Sequence, residues 1–579
     1  MSLFSWLRGS NGMANSAQMA RFRRRTAPSR PSFRPRLEAL EDRCCPSGGG
    51  GTTNPLDTTF NSAGPQPGTV VTSIDGYRDQ AHALAIYPAT DPNGNGGKIV
   101  AVGTNTPPTD PSLGYSNSDF ALARYTSSGV LDTTFGSGGI VTTDFSSGGD
   151  QGNSVALDSS GRIIVAGASW HTVNGVITDE FALARYTENG LLDTTFGTDG
   201  EILTRFYPGS NGSSLANAVA VDAQGNILVA GGVENPNNSA FGLARYTSSG
   251  ALDTSFGGNS GVPGLAVAFN GGTANAIAIQ PDGAIVVAGN GGSGLGVARF
   301  SSTGSLDATF GTGGAVSTPI TAATGVALDG NGNIVVSTYK PSGSGTGPEF
   351  AAVRYTTVGA LDSTFGSGGI ATIDFGRKSE GYATAVVIQP SNGKIVLAGY
   401  ISGPSVFALA RLNTNGTLDT TFGTKGKIIT TFVASLGGQG FGLALQADGK
   451  IVAAGYAYSA TNFAIADFAL ARYLGDPITA NVALASVGTA APTGIWFASD
   501  AVSPTQPVVA NPAPVTEVLR AVPPGSLSAG RRDVAVLDRI FAEGQTSFAD
   551  PFTDGSVLQG LVTSLKKAAG EILPRSYCN

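Results

Sequence analysis

Histidine and cysteine are almost absent, with two His and three Cys among 579 residues. His82 and His171 lie far apart in the chain with no cysteine nearby, so the usual ligands of a zinc site are lacking. A catalytic triad would depend on one of these two histidines. Cys44, Cys45 and Cys578 lie near the two ends of the chain, so no disulfide framework is expected in between. We therefore expect no metal site and no cofactor.

Charge is also scarce, since only 13% of the residues are Asp, Glu, Lys or Arg. No apolar run reaches the roughly 18 residues that a membrane-spanning helix needs, so no span is expected. The net charge is −7, but residues 1–48 carry nine Arg and three acids. The remaining chain is therefore clearly acidic. This excludes a nucleic-acid groove, which requires clustered cations.

Glycine is abundant instead, with 83 residues, and the chain is repetitive. The string Leu-Asp-x-x-Phe occurs seven times, at 56–60, 131–135, 192–196, 252–256, 306–310, 361–365 and 418–422. A second string, Phe-Ala-Leu-Ala-Arg-Tyr or a near copy, ends at Tyr125, Tyr186, Tyr246, Phe300, Tyr355, Leu412 and Tyr473. Repeats of this length indicate an array of identical supersecondary units.

Each repeat contains four short runs of β-branched or aromatic residues, which we name strands a, b, c and d. In the second repeat they are Ile-Val-Thr-Thr-Asp-Phe, Asn-Ser-Val-Ala-Leu, Arg-Ile-Ile-Val-Ala-Gly and Phe-Ala-Leu-Ala-Arg-Tyr. Turns such as Asp158–Gly161 join b to c. We expect the strands of each repeat to form one antiparallel sheet. The predicted fold is all-β: a seven-bladed β-propeller of four-stranded blades.

The arginine of strand d precedes the aspartate of the next Leu-Asp by eight residues at every junction. The pairs are Arg124 with Asp132, Arg185 with Asp193, Arg245 with Asp253, Arg299 with Asp307, Arg354 with Asp362, and Arg411 with Asp419. This fixed spacing predicts contact, an ion pair that positions the connection from d to a. Asp57 and Arg472 are left over at the two ends of the array. A closed ring would bring them together, whereas an open solenoid would leave both unpaired.

Composition divides the chain into four parts. Residues 1–55 form an Arg-, Pro- and Ser-rich leader, for which we expect disorder, and residues 56–475 form the seven-repeat propeller. Residues 476–530 read as an Ala/Pro-rich linker. Residues 531–579 are expected to form a small helical tail, with helices over 531–543 and 556–572.

These strings resemble the delta-60 repeat family of bacterial β-propellers, over about 415 residues. The resemblance implies the propeller fold and a frequent place in exported or surface proteins, and it implies no catalytic residues. The leader segment Arg-Leu-Glu-Ala-Leu-Glu-Asp-Arg, residues 36–43, resembles a short motif of large exported bacterial proteins. Localisation outside the cell or at its surface is therefore an expectation.

Candidate site residues come from the irregular loops, since residues repeated in every unit indicate a structural role. Loops a–b and c–d share one face of the predicted propeller and vary most, and such insertions often mark a binding face. The ligand-binding candidates are Tyr115, Trp170, His171, Tyr339, Tyr456 and Tyr458. Other aromatic or polar candidates on this face include Tyr207, Asn237 and Tyr382. Neutral drift of the loops is the competing explanation.

Two functions follow from these residues. The first is a non-catalytic, monomeric binding or structural scaffold for glycans or cell-envelope proteins. The alternative is a hydrolase or lyase acting on carbohydrates or lactones, which needs convergent acids. Its candidate acids are the unrepeated residues Glu180, Glu234, Glu349 and Glu380.

Overall fold

The computed structural model describes residues 55–476, except 75–77, 108–117, 146–147, 174–175, 208–212, 235–238, 259, 342–346, 377–378, 404 and 464. Only strands and turns occur in this part, and it holds no helix that could cross a membrane. The leader, the linker and the predicted helical tail lie outside the described residues. An all-β fold of four-stranded antiparallel sheets, as in a β-propeller, is confirmed.

The described residues form 28 strands. The b strands are β2 (Arg78–Ile86), β6 (Asp150–Leu157), β10 (Ser214–Val221), β14 (Thr273–Ile279), β18 (Gly325–Leu328), β22 (Glu380–Ile388) and β26 (Ser435–Leu445). The c strands are β3 (Ile99–Thr106), β7 (Ile163–Val173), β11 (Ile227–Glu234), β15 (Ile285–Asn290), β19 (Ile334–Lys340), β23 (Ile395–Ser402) and β27 (Ile451–Ser459).

The d and a strands complete the set. The d strands are β4 (Asp119–Tyr125), β8 (Val176–Tyr186), β12 (Ser239–Tyr246), β16 (Leu295–Phe300), β20 (Glu349–Tyr355), β24 (Val406–Leu412) and β28 (Ala466–Tyr473). The a strands are β1 (Thr69–Thr72), β5 (Ile140–Thr143), β9 (Glu201–Thr204), β13 (Leu265–Asn270), β17 (Ala315–Thr318), β21 (Ile370–Ile373) and β25 (Lys427–Thr430).

The partition of strands into sheets differs from the expectation that one repeat makes one sheet. Strands b, c and d of one repeat pair with strand a of the following repeat, as in β6-β7-β8-β9. The segment from d to a is therefore a turn within a sheet, where Tyr125 bridges Leu131. The connection from a to b is the one that crosses between sheets. Strand β1 is the a strand of the first repeat, so no repeat precedes it in the array whose sheet it could join. It pairs instead with β28, the d strand of the last repeat.

We number the four-stranded units I (β2–β5) to VI (β22–β25), and unit VII consists of β26–β28 and β1. A single parallel bridge, Arg78 to Ala466, joins units I and VII. Each unit contacts the next in chain order, and unit VII contacts unit I. The b strands also contact one another from unit to unit, which makes them the inner strands of the array.

The hydrophobic core lies between neighbouring sheets. Strand β7 shows how: Ile163 and Val165 belong to the cluster shared with unit I, whereas Ile164 and Ala166 belong to the one shared with unit III. A strand covered on both faces needs continuous apolar residues, which explains the unbroken run in the c strands. The sheets are held by apolar burial on both sides.

Six of the seven inner strands carry a β-bulge, which leaves one residue without a cross-strand partner. Opposite each bulge the c strand has glycine. A Cβ atom on Gly167 would lie 1.8 Å from the carbonyl oxygen of Gln151, and the other five glycines are equally crowded. Unit V has Ser337 at this place, and its inner strand begins only at Gly325. Glycine therefore allows the bulge to form within a paired strand.

Candidate functional site

The repeated arginines and aspartates lie in contact in all seven units. The distance from guanidinium nitrogen to Asp Oδ2 is 2.7–2.9 Å in each pair, and Arg472 with Asp57 is one of them. Each guanidinium also lies over the phenylalanine of the same Leu-Asp-x-x-Phe string, 4.5–4.9 Å from the ring centroid. The pair therefore holds strand d against the turn that leads to strand a.

The same arginines reach the neighbouring unit. Arg124 donates to the backbone carbonyl of Glu188, and Arg472 donates to that of Ser127. The Asp132 carboxylate also accepts hydrogen bonds from Thr134. Burial opposes ionisation of Asp132, but the hydrogen bonds from Thr134 and Lys98 and the charge of Arg124 outweigh it and lower its pKa. A network of charged groups that repeats in every unit is suited to holding the sheets together rather than to catalysis.

The bulge residues form a polar belt around the inner strands. Each donates to the backbone carbonyl that precedes the bulge residue of the next unit, at 2.8–3.0 Å: His82 to Gly152, Asn153 to Ala216, Asn217 to Ala274, Asn275 to Ala323, Thr324 to Ala383, and Thr384 to Gly440. Thr324 does the same from just before its shorter strand. The bulge thus turns one side chain per unit toward its neighbour.

The belt is interrupted in unit VII, where the bulge residue is Phe441. Its ring has no donor, and it meets His82 of unit I edge to face, with centroids 5.9 Å apart. Burial lowers the pKa of His82, which favours the neutral ring donating from Nδ1 to Gly152. His82, which was not predicted as a site residue, therefore has a structural role at the junction of units VII and I.

Phe441 belongs to a continuous aromatic run across units V, VI and VII. Neighbouring ring centroids in the run lie 5.0–6.3 Å apart, in the order Tyr339, Tyr382, Tyr400, Phe441, Tyr456, Tyr458, Phe463. We name these seven residues the aromatic run. They lie where the b strands begin and the c strands end, on the face of loops a–b and c–d. Most are partly exposed, and 63% of Phe463 is exposed.

Three predicted ligand-binding residues, Tyr339, Tyr456 and Tyr458, lie in this run. The further candidate Tyr382 lies in it as well, whereas Tyr400, Phe441 and Phe463 were not predicted from the sequence as site residues. A signal was available, because Tyr339, Tyr400 and Tyr456 each stand sixth in the c strands that begin Ile334, Ile395 and Ile451. The other four units have Thr, Ala, Gly or Asn there. Three consecutive units therefore depart from the repeat in the same way, as a binding site would.

Polar groups accompany the rings. Glu380, exposed at the start of inner strand β22, accepts hydrogen bonds from the hydroxyls of Tyr382 at 3.1 Å and Ser402 at 2.9 Å. Partial burial and then the Glu380 carboxylate raise the pKa of Tyr382, so its hydroxyl stays protonated. At the other end, Arg78 is exposed and acts electrostatically on Tyr456. The run thus offers aromatic faces with hydroxyl, carboxylate and guanidinium groups beside them.

The remaining predicted site residues lie elsewhere or outside the described part. Trp170 is partly buried on β7 in unit II. Tyr115 and the side chain of His171 are outside the described residues. The four candidate acids are distributed over different units: Glu180 in unit II, Glu234 in III, Glu349 in V and Glu380 in VI. Among these four, Glu380 alone is on an inner strand.

A repeated bulge belt, an Arg-Asp-Phe contact in every unit and four-stranded sheets define the class as a β-propeller repeat protein. Repeated segments of the chain match the family model described as domain of unknown function (DUF5122) beta-propeller, which confirms the predicted kind of repeat family. Six segments match its profile, at 97–135, 159–196, 225–256, 280–310, 391–422 and 446–476. No curated protein sequence matches significantly.

The solved structures that match this chain have low sequence identity and low TM-scores. Sqt1 from Chaetomium thermophilum is 14% identical with a TM-score of 0.34, over 70% of this chain and 97% of that one. The NanB sialidase from Streptococcus pneumoniae is 10% identical with a TM-score of 0.39, over 72% of each chain. The polysaccharide lyase Uly1 is 10% identical with a TM-score of 0.40, over 68% of this chain and 89% of that one.

Proposed function

We propose that the protein is a seven-bladed, non-catalytic β-propeller that is exported or held at the cell surface and binds glycans through the aromatic run. The observation that carries this proposal is the run itself. Seven contiguous rings lie on one face, and three of them, Tyr339, Tyr400 and Tyr456, depart from the sequence repeat at matching positions.

The chemistry of sugars fits this surface. A pyranose ring has an apolar C–H face that packs on an aromatic side chain, and a rim of hydroxyls that needs donors and acceptors. Tyr combines both properties, because its ring is apolar and its hydroxyl forms hydrogen bonds. Glu380 supplies an acceptor and Arg78 supplies donors beside the rings. The row of similar residues over three units suits an extended chain better than a single small molecule.

The Arg-Asp network supports a scaffold role. A site placed on rigid, repeated elements keeps its geometry without ordering on binding. The leader motif supports export, and we propose a monomeric propeller whose partners are glycans of the cell envelope.

Binding of the full chain to a glycan array, followed by calorimetry on each positive glycan, tests the proposal. Tyr400→Ala is expected to weaken binding about tenfold, since one buried aromatic contact contributes on the order of 1–2 kcal/mol. Tyr400→Phe keeps the ring and should keep most of the affinity. Leu191→Ala, at an exposed apolar position on the opposite face, is the matched control. No glycan binding, or equal loss in Leu191→Ala and Tyr400→Ala, would contradict the proposal.

The alternative function is a hydrolase or lyase with Glu380 as its acid or base. Its supporting observation is that Glu380 lies on an inner strand beside the aromatic run and is hydrogen-bonded to two hydroxyls. A two-carboxylate mechanism needs a second acid within roughly 10 Å. Turnover of a carbohydrate or lactone by the wild-type chain would favour this alternative.

A further inference from the structure

Three aspartates converge where the chain crosses from unit I to unit II. Asp119 begins β4, Asp144 directly follows β5, and Asp150 begins β6. One carboxylate oxygen from each lies within 4.8 Å of those of the other two. The three residues lie in or directly after three different strands of two units, so the fold creates a cluster that is not contiguous in sequence.

Asp150 gives the cluster a second, independent feature. It is fully buried, and its Oδ2 accepts a hydrogen bond from the Phe145 amide at 2.8 Å. The Ser169 hydroxyl also acts on this carboxylate through a hydrogen bond. The enclosed Oδ1 has no hydrogen-bond partner in the described part of the chain. An enclosed carboxylate oxygen beside two other acids is costly unless a cation or a donor satisfies it.

The cluster is not required by the repeat. At the next junction, the residues that correspond to Asp119, Asp144 and Asp150 are Glu180, Arg205 and Ser214. There an arginine stands in the place of Asp144, and a serine stands in the place of the buried acid.

At the junction of units VII and I, Asp467 and Asp79 correspond to Asp119 and Asp150, and Asp79 is equally buried and accepts from the Ile74 amide, but Ser73 stands in the place of Asp144. In the described part of the chain, all three positions are acidic only at the junction of units I and II.

We propose that Asp119, Asp144 and Asp150 bind a calcium ion that links unit I to unit II. The donors are all oxygens, which suits a hard cation. Two ligands on opposite sides of Ca²⁺, each at 2.3–2.6 Å, lie about 5 Å apart, which matches the spread of this cluster. Opposite ligands of Mg²⁺ lie only about 4 Å apart in a strict octahedron, and the irregular arrangement fits Ca²⁺ better.

The histidine and cysteine counts gave no indication of this site, and no metal was expected from the sequence. The ion would hold the end of β5 to the start of β6, the connection that crosses between sheets. Its effect is therefore expected on the stability of the array, and it does not depend on the proposed glycan binding.

Thermal unfolding of the full chain in EDTA and in 0.1, 1 and 10 mM CaCl₂, with calorimetric titration, tests the proposal. We expect a melting temperature that rises with Ca²⁺ and a dissociation constant of about 10⁻⁴–10⁻³ M, as in extracellular calcium modules. Asp150→Asn and Asp144→Asn should each weaken Ca²⁺ at least tenfold. Asp144 is exposed, so its variant tests binding even if Asp150→Asn fails to fold.

Asp374→Asn is the matched control, since Asp374 holds the same repeat position as Asp144 at another junction and is exposed. It should keep the full Ca²⁺ response. The proposal is overturned if the wild-type chain shows no response to Ca²⁺. It is also overturned if Mg²⁺ gives an equal response, or if the response survives in both Asp144→Asn and Asp150→Asn.

Discussion

Arg472, in the last described strand, forms an ion pair with Asp57, which precedes the first strand, and its Nε lies 2.9 Å from Asp57 Oδ2. Both side chains are buried. This pair joins the two ends of the array together with the pairing of β1 and β28. Asp57→Asn should lower the free energy of unfolding by about 3 kcal/mol, because it leaves a buried guanidinium without its counter-charge. Urea unfolding followed by circular dichroism measures this.

The matched control is Asp448→Asn, because Lys450 pairs with both Asp57 at 3.3 Å and Asp448 at 2.9 Å. Asp448 is exposed, so its loss should cost less than about 1 kcal/mol. Equal effects of the two variants would show that the end-to-end pair contributes no more than a surface ion pair.

A second prediction concerns the glycine opposite a bulge. Gly167→Ala should destabilise the protein by several kcal/mol or prevent folding, because the new Cβ would lie 1.8 Å from the Gln151 carbonyl oxygen. Relief would require the bulge of β6 to shift and the Asn153 hydrogen bond to Ala216 to break. Thermal unfolding and expression yield are the measurements.

Gly330→Ala is the control for this substitution, since a Cβ there would meet no atom within 4 Å. It should leave the melting temperature within a few degrees of the wild type. If Gly167→Ala were as stable as Gly330→Ala, the bulge would not need the missing side chain.

The repeat made much of the fold predictable. Strand positions follow from apolar runs bounded by turn residues, and the eight-residue step from Arg124 to Asp132 corresponds to a direct contact. The sheet partition was not predictable from the repeat unit, because a periodic sequence does not say where one sheet ends. That boundary depends on whether the Leu-Asp-x-x-Phe segment turns back on strand d or crosses to the next sheet, and it turns back.

The candidate sites were less predictable. Tyr339, Tyr456 and Tyr458 were found from loop variation, but Phe441 was not, because its position is set by a bulge that the strand pattern does not reveal. Asp119 and Asp150 lie in two separate strands and Asp144 directly follows a third, and only the crossover between units brings them together. Contacts made by pairing across repeats depend on three-dimensional register and not on local sequence.

A third prediction is a pH dependence in EDTA. Burial raises the pKa of Asp150 from its usual 3.8 to about 7, Asp144 and Asp119 add to the rise, and Ser169 and Phe145 oppose it. A raised carboxyl pKa means that the folded state holds its proton more tightly than the unfolded state. Stability is therefore lost as the pH rises from about 4 to about 7, and the loss levels off above that range.

Asp150→Asn cannot ionise, so in EDTA it should gain stability relative to the wild type across this window. The difference in melting temperature should grow from about pH 4.5 to pH 7 and stay constant above pH 8. Asp374→Asn should show no such trend. If the difference in melting temperature between Asp150→Asn and the wild type were constant over the whole pH range, the raised pKa of Asp150 would be disproved.

The fourth prediction separates binding from catalysis at Glu380. Glu380→Gln keeps an oxygen that can accept from Tyr382 or Ser402 but cannot exchange a proton. For a binding site, the dissociation constant of a bound glycan should change by only a few fold, because aromatic packing carries most of the affinity. For an enzyme that uses Glu380 as acid or base, turnover should fall by about 10²–10⁴-fold while binding persists. We expect no product from wild-type protein incubated with each glycan it binds. Product that forms with the wild type and disappears with Glu380→Gln would instead establish the hydrolase or lyase, because uncatalysed cleavage would be the same with both proteins.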